Sequence, residues 1–275
     1  MTSKKFAAFV CASLMIVSGL AVVATPEQKK REASKEVRSK LFKQVMTDID
    51  LRSCIDQDEG GARAAEERMT VEEVDLNRDG VPEYEFRLAS GCVCGAVNCA
   101  IYLYRQTPRG YELILDGASG YGFDVLKTSS NGYLDVLVTA RNNAATASEA
   151  TYKFDGKQYR ETSARLVNPE TGESKPAYRR VQFKRGASAA TVQGRVTIEM
   201  PDMWLVGARA GQVMTVALTA PNKAVQFTLV SPTTRGLAAD NLRSWTGTLP
   251  ENGDYTFIVE GDERGGTYSM TISIK

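Results

Sequence analysis

From Val71 to Ile274 the apolar residues recur mostly at every second position, in short runs broken by glycine, asparagine and proline. A period of two sends alternate side chains to opposite faces of an extended strand, so this chain has to build half-buried sheets. In the first half the runs are Val71 to Leu76, Tyr84 to Leu88, Ala100 to Arg105, Tyr111 to Leu115, Phe123 to Lys127, Leu134 to Ala140 and Ala150 to Phe154. Asn131-Gly132 and Asp155-Gly156 supply tight hairpin turns, and the spacing predicts an antiparallel meander. In the second half the runs are Ala190 to Met200, Trp204 to Ala208, Val213 to Leu218, Val225 to Val230, Ser244 to Leu249, Tyr255 to Glu260 and Thr267 to Ile274. About seven strands in that length predict a β-sandwich. The last strand places Tyr268, Met270, Ile272 and Ile274 on one face.

The N-terminal end reads differently. Residues 1–24 carry Lys4 and Lys5, an apolar run and a small-residue ending at Ala24, the pattern of a cleaved secretory signal with the mature chain beginning near Thr25. After cleavage no stable membrane span is expected, and the protein is read as periplasmic or secreted. Thr25-Pro26-Glu27-Gln28 then has the chemistry of a helix start. Val37, Leu41, Val45 and Ile49 recur every fourth residue with Phe42 and Met46 beside them, which predicts one helix packed by that stripe. Gly60-Gly61 and the polar stretch to Arg68 read as a loop, and 162–180 as a linker carrying Asn168-Pro169, Thr171-Gly172-Glu173 and Lys175-Pro176. The expected class is mainly β. An N-terminal helix and antiparallel β-domain fill 25–161, and a C-terminal β-sandwich fills 181–275.

The formal net charge is +1, with 34 basic and 33 acidic residues, and no basic stripe with interleaved aromatics is visible. That argues against a nucleic-acid partner. The chain has no histidine, so the Ser-His-Asp and Cys-His arrangements are excluded. Cys54, Cys92, Cys94 and Cys99 remain after signal cleavage, an even count that in an exported chain points to disulfides. Cys92 and Cys94 are too close in sequence to pair without strain, so one of them is expected to close on Cys99 and the other on Cys54. Zinc is the alternative for this cluster.

Between the first two strand runs lies Asp75-Leu-Asn-Arg-Asp-Gly-Val-Pro-Glu83. Asp75, Asn77, Asp79, the Val81 carbonyl and Glu83 offer oxygen at alternating places around a sharp turn at Gly80, which is calcium chemistry. Phe86 stands where an EF-hand needs its bidentate acid. The run instead resembles the calcium loops of FG-GAP and VCBS-type repeats, and the resemblance implies a structural calcium ion in one such loop. Asp124 and Asp135 offer a candidate carboxylate pair of the kind hydrolases use. Tyr102, Tyr104, Tyr111, Tyr121 and Tyr133 could stack on sugar or fill a half-buried sheet.

In the last third, Phe183-Lys-Arg-Gly-Ala-Ser-Ala-Ala-Thr-Val-Gln-Gly194 and Trp204-Leu-Val-Gly-Ala-Arg-Ala-Gly-Gln-Val-Met-Thr-Val216 come first. Gly247-Thr-Leu-Pro-Glu-Asn-Gly-Asp-Tyr-Thr-Phe257 and Tyr268-Ser-Met-Thr-Ile-Ser-Ile274 follow. Taken in order, these stretches resemble the periplasmic inhibitors of g-type lysozyme and the related pre-peptidase C-terminal β-sandwich domains. Trp204, Val213, Val216, Tyr255 and Phe257 are expected in the core. The resemblance implies a sandwich whose loops block a lysozyme cleft. The long basic loop of that family is reduced here to Gly261-Asp-Glu-Arg-Gly-Gly266. Arg185, Ser188 and Arg264 are the candidate partner-binding residues. The expected protein is thus an exported, non-catalytic envelope protein with a g-type lysozyme as partner. A peptidoglycan- or glycan-binding module is the alternative, and a carboxylate-based hydrolase is third.

Overall fold

The computed structural model describes residues 30–233 and 237–275, so the expected signal segment and the Thr25–Gln28 helix start lie outside the described residues. The fold is mainly β, with three short helices before the first long sheet. The helices are α1 (Lys35–Val45), α2 (Ile49–Ile55) and α3 (Gly61–Arg68). Strands β1 (Arg31–Glu32), β2 (Thr70–Val74), β3 (Glu83–Arg87), β4 (Cys99–Thr107) and β5 (Gly110–Gly120) pair antiparallel in sequence order. A second antiparallel sheet holds β6 (Gly122–Ser130), β7 (Tyr133–Arg141), β8 (Ala147–Phe154), β9 (Tyr159–Val167) and β10 (Ser174–Pro176).

These two sheets and the helices form three layers. Leu41, Phe42, Val45, Ile55 and Ala65 of the helices cover one face of the first sheet at Val71, Tyr84, Phe86 and Tyr104. The opposite face, with Leu76, Ile101, Leu103 and Ile114, packs on Phe123, Leu134, Val136, Val138 and Phe154 of the second sheet. The first sheet is therefore buried on both sides, and its β3 reads Glu-Tyr-Glu-Phe-Arg with four consecutive buried residues. Burying Glu85 demands a counter-charge, and Lys30 at 2.6 Å and Arg87 at 2.6 Å provide it.

The remaining strands are β11 (Arg179–Arg180), β12 (Ala189–Val196), β13 (Asp202–Ala208), β14 (Val213–Thr219), β15 (Gln226–Val230), β16 (Leu237–Leu242), β17 (Ser244–Thr248), β18 (Gly253–Glu260) and β19 (Gly266–Ile274). They form two facing sheets in the orders β11-β13-β18-β15-β16 and β12-β19-β14-β17. Trp204, Val206, Phe227, Leu229, Tyr255 and Phe257 meet Met214, Val216, Tyr268, Met270 and Ile272 in one core. Period two decides the register here: Met214 and Val216 point inward, so Val213, expected in the core, is exposed.

Several expectations change. The single helix breaks after Val45 because Asp48 accepts the Leu51 amide at 2.9 Å and caps a new helix, leaving Ile49 70% exposed rather than on the buried stripe. Residues 61–68, expected as a loop, are helical: Ala62-Arg-Ala-Ala-Glu-Glu-Arg68 are strong helix formers, and Gly60 at φ 82° makes the entry. A Cβ at Gly60 would lie 2.6 Å from Ala64 Cβ. The segment 162–180, expected as a linker, carries the end of β9 together with β10 and β11, and β10 pairs with β9 while β11 pairs parallel with β13. Strand β16 adds an edge that the sequence pattern did not announce.

What anchors 174–181 is a buried ionic cluster on Asp202, which is 2% exposed. Its carboxylate meets Lys175 Nζ at 2.9 Å and Arg179 at 2.6 Å, and accepts the Tyr268 hydroxyl at 2.7 Å. Trp204 Nε1 donates to that same hydroxyl at 2.6 Å, and the Arg179 guanidinium lies 4.1 Å from the Trp204 ring centroid. Removing one partner of such a cluster strands the others. Asp202→Ala is expected to lower the unfolding free energy by about 3–5 kcal/mol, measured by urea denaturation; a loss below about 1 kcal/mol, the level of a surface pair, would show that the cluster does not hold the strap.

Candidate functional site

The turn Asp75–Glu83 joins β2 to β3, and its side chains fold back on its own backbone. Asp75 accepts the Arg78 amide at 2.6 Å and the Gly80 amide at 3.1 Å, Asn77 accepts the Asp79 amide at 3.0 Å, and Asp79 accepts the Val81 amide at 2.7 Å. Arg78 at φ 62° and Gly80 at φ 84° give the loop its curl. Glu83, 3% exposed, turns inward and accepts the Leu76 amide at 2.8 Å. The turn is docked on the second sheet, because the Leu134 amide donates to the Leu76 carbonyl at 2.7 Å and Asn77 donates to the Tyr133 hydroxyl at 3.3 Å.

Burial pushes the Glu83 carboxyl up from its ordinary 4.5 to about 7, the Leu76 amide opposes that, and Asp79 and Asp75 add to it. Three acids on one turn are the right donor type for a hard cation, and each oxygen that accepts an amide keeps a second lone pair. Their arrangement is that of an amide-capped turn, and among the described residues no three acidic or thiol side chains converge as a metal-holding group.

Beyond the far end of β3, Cys92 reaches Cys54 on α2 and Cys94 closes on Cys99. Both pairs of thiols are thereby consumed, which removes the zinc alternative. The Cys54–Cys92 bridge spans 38 residues, a loop whose closure is worth about 4 kcal/mol on the chain-entropy account. Asp58 adds a polar clasp by accepting the Ser90 hydroxyl and, at 3.1 Å, the Gly91 amide.

Arg185, Ser188 and Arg264 do not share a site. Ser188 adjoins the start of β12, where its carbonyl accepts the Ile274 amide at 2.8 Å, and Arg185 lies in the turn before it. Arg264 precedes β19 at the other end, paired with its neighbour Asp262 at 2.8 Å. The nine residues of β19 separate the two ends, a distance of about 26 Å at strand rise.

The two acids of the carboxylate pair differ in burial. Asp124 is exposed on β6, whereas Asp135 on β7 is 1% exposed, with neither oxygen hydrogen-bonded and Lys153 Nζ 3.9 Å away. Of the five tyrosines, Tyr102, Tyr104 and Tyr111 pack with the helix-side core, and Tyr133 lies against Phe154 with ring centroids 4.2 Å apart. Tyr121 alone of the five is exposed, so they form no stacking platform. What the sequence patterns missed are the buried Asp202 cluster and a cleft beside it. A lone acid at the start of a strand carries no periodic signal that it will be buried.

No family model matches the chain, and no curated protein matches it. Among solved structures it is similar to PliG of Aeromonas hydrophila, a periplasmic inhibitor of g-type lysozyme, at 27% identity over 36% of this chain and 96% of that chain, with a TM-score of 0.32. PliG of Salmonella Typhimurium is 23% identical over 36% of this chain and 97% of its own, with a TM-score of 0.30. The pre-peptidase C-terminal domain of a Bacillus anthracis collagenase is 16% identical over 36% of this chain and 92% of its own, with a TM-score of 0.25.

The raised Glu83 pKa fixes a pH signature. A carboxyl that is protonated more readily in the folded chain stabilises the fold below pH 4.5, and that contribution is lost as pH rises to about 7. In chelator-treated protein, Glu83→Gln keeps an acceptor for the Leu76 amide and removes the titration. The melting temperature of the natural chain, relative to this variant, is expected to fall across that window; a constant difference would refute the assignment.

Proposed function

We propose that this chain is an exported, non-catalytic binding protein of a bacterial envelope, periplasmic or secreted, whose sandwich inhibits a g-type lysozyme by occupying its substrate cleft. The observation that carries this reading is the fate of the four sequence stretches that resemble the inhibitor family. Phe183–Gly194, Trp204–Val216, Gly247–Phe257 and Tyr268–Ile274 fold into one two-sheet body with a common core. The scaffold residues of the resemblance take scaffold roles: Gly211 turns at φ 83° and donates to the Leu249 carbonyl at 2.9 Å, and Trp204, Tyr255 and Phe257 are buried. Among the described residues no helix is long and apolar enough to cross a membrane.

Occlusion needs loops that project from a rigid base, with a few anchors giving most of the affinity. The sandwich offers two such ends, one bearing Arg185 and Ser188 and the other bearing Arg264. In a cell-wall lysis assay the mature protein is expected to slow g-type lysozyme at micromolar concentration and leave c-type lysozyme unaffected. Either Arg185→Ala or Arg264→Ala should weaken inhibition by about tenfold, and the other should not, because one end enters the cleft. Absence of slowing at micromolar excess would remove the lysozyme reading.

We also propose a structural calcium ion at the β2–β3 turn, held by Asp75, Asn77, Asp79, the Val81 carbonyl and Glu83. The chemistry of the donors and the acid neighbours around buried Glu83 support it. Bound calcium would supply the positive charge that this carboxylate lacks at neutral pH. Adding calcium to chelated protein at pH 7.5 should raise the melting temperature by several degrees, and Asp79→Ala should abolish the rise. An unchanged melting temperature at millimolar calcium would dismiss the ion.

A further inference from the structure

Between the second sheet and the sandwich lies an open cleft of about 520 Å³ that neither proposal above uses. Its floor is the face of β8 and β9, where Ala150 pairs with Ala164 and both side chains are short. Its wall comes from the sandwich, where Met203 lines it and Ile198 stands 56% exposed. The size is that of an ordinary small-ligand site, and a junction between packed layers is where such sites concentrate.

The charge on this cleft is one-sided. Glu161, Glu199 and Glu260 line it, no lysine or arginine does, and among the described residues none of the three has an ion-pair partner. Neighbouring acids on the same strands and loops are treated differently. Glu149 pairs with Arg165 at 2.7 Å, Asp155 with Arg160 at 3.4 Å, Asp254 with Arg180 at 2.5 Å and Asp262 with Arg264 at 2.8 Å. Glu161 is also positioned, since the Tyr178 hydroxyl donates to it at 2.8 Å. Unneutralised carboxylates around an apolar wall select a ligand that combines positive charge with hydrocarbon.

We infer that this cleft docks a basic, apolar-flanked peptide segment of a partner protein, in which lysine or arginine stems cover Ile198 and Met203 and the charged heads reach Glu161, Glu199 and Glu260. A long basic side chain presents both surfaces at once. A bound metal ion does not suit the cleft, because among the described residues the three carboxylates do not converge on a common point. A sugar does not suit it either, because Tyr152 is the one aromatic ring among its lining residues.

The test uses fluorescein-labelled Leu-Lys-Val-Lys-Leu titrated into the full mature chain and followed by anisotropy at low salt. Its counterparts are Leu-Glu-Val-Glu-Leu and, as an unlabelled competitor, the N-acetylglucosamine tetramer. Saturable micromolar binding of the basic peptide alone is expected. The Glu161→Gln, Glu199→Gln, Glu260→Gln triple variant should weaken it by about tenfold, as loss of unscreened charge complementarity does. Ile198→Ser should weaken it as well, and Glu36→Gln on α1 should not. All four cleft residues and Glu36 are at the surface or only partly covered, and circular dichroism checks that each variant is folded. Absence of saturation, equal affinity for the triple variant, equal binding of the acidic peptide, or displacement by the sugar would each overturn the inference.

Discussion

One buried charge sets how the rest of the chain is arranged. Asp202 begins β13, a strand with β18 on one side and β11 on the other, and its carboxylate receives Lys175, Arg179 and the Tyr268 hydroxyl together. A carboxylate out of water is tolerated only when its lone pairs are filled by fixed donors. Lys175 sits in β10, which is hydrogen-bonded to β9, and Arg179 sits in β11, which is hydrogen-bonded to β13. The strap between them is therefore tied to a sheet at each end and to one acid in the middle. Gly194 makes the packing sterically feasible, because a Cβ there would collide with the Asp202 carboxylate.

The first half obeys a different constraint. Its central sheet is covered on both faces, by helices on one side and a second sheet on the other, so polar side chains on β3 have to be neutralised in place. Glu85 receives Lys30 and Arg87, while Glu83 receives only backbone amides, Leu76 foremost, and has Asp75 and Asp79 nearby. That contrast fits the rise that burial gives the Glu83 pKa, which no opposite charge offsets. Two disulfides then hold α2 and the 88–99 segment against the same sheet.

Much of the strand pattern was legible. The expected runs and the observed strands agree closely from β2 to β8 and again from β12 to β15 and β17 to β19, because period two and hairpin turns are local signals. The local constraint that cysteines at 92 and 94 do not bridge each other narrowed the cysteine pairing to two arrangements, and the fold selects Cys54–Cys92 with Cys94–Cys99. The helical region was less legible. A stripe from Val37 to Ile49 has the same period whether or not Asp48 interrupts it, and a Gly-Gly pair reads as a loop even when seven helix formers follow. In 162–180 Arg165, Lys175, Arg179 and Arg180 find partners elsewhere in the fold, and polarity of that kind is indistinguishable from the polarity of a solvated linker.

For the candidate sites the division is similar. Residue chemistry alone marked the acidic turn, and its local geometry follows from Asp, Asn and Gly at their spacing. Only the folded chain shows that Arg185 and Ser188 stand at the opposite end of β19 from Arg264, that Asp124 is exposed while Asp135 is buried, and that three unpaired glutamates face one cleft. By itself the sequence determined most of the strands, where the tight hairpins turn and that Cys92 and Cys94 do not pair with each other, since each depends on neighbours a few residues away. The tertiary structure decided which charges are buried, which are paired and which surfaces face each other, because those depend on residues brought together from distant parts of the chain.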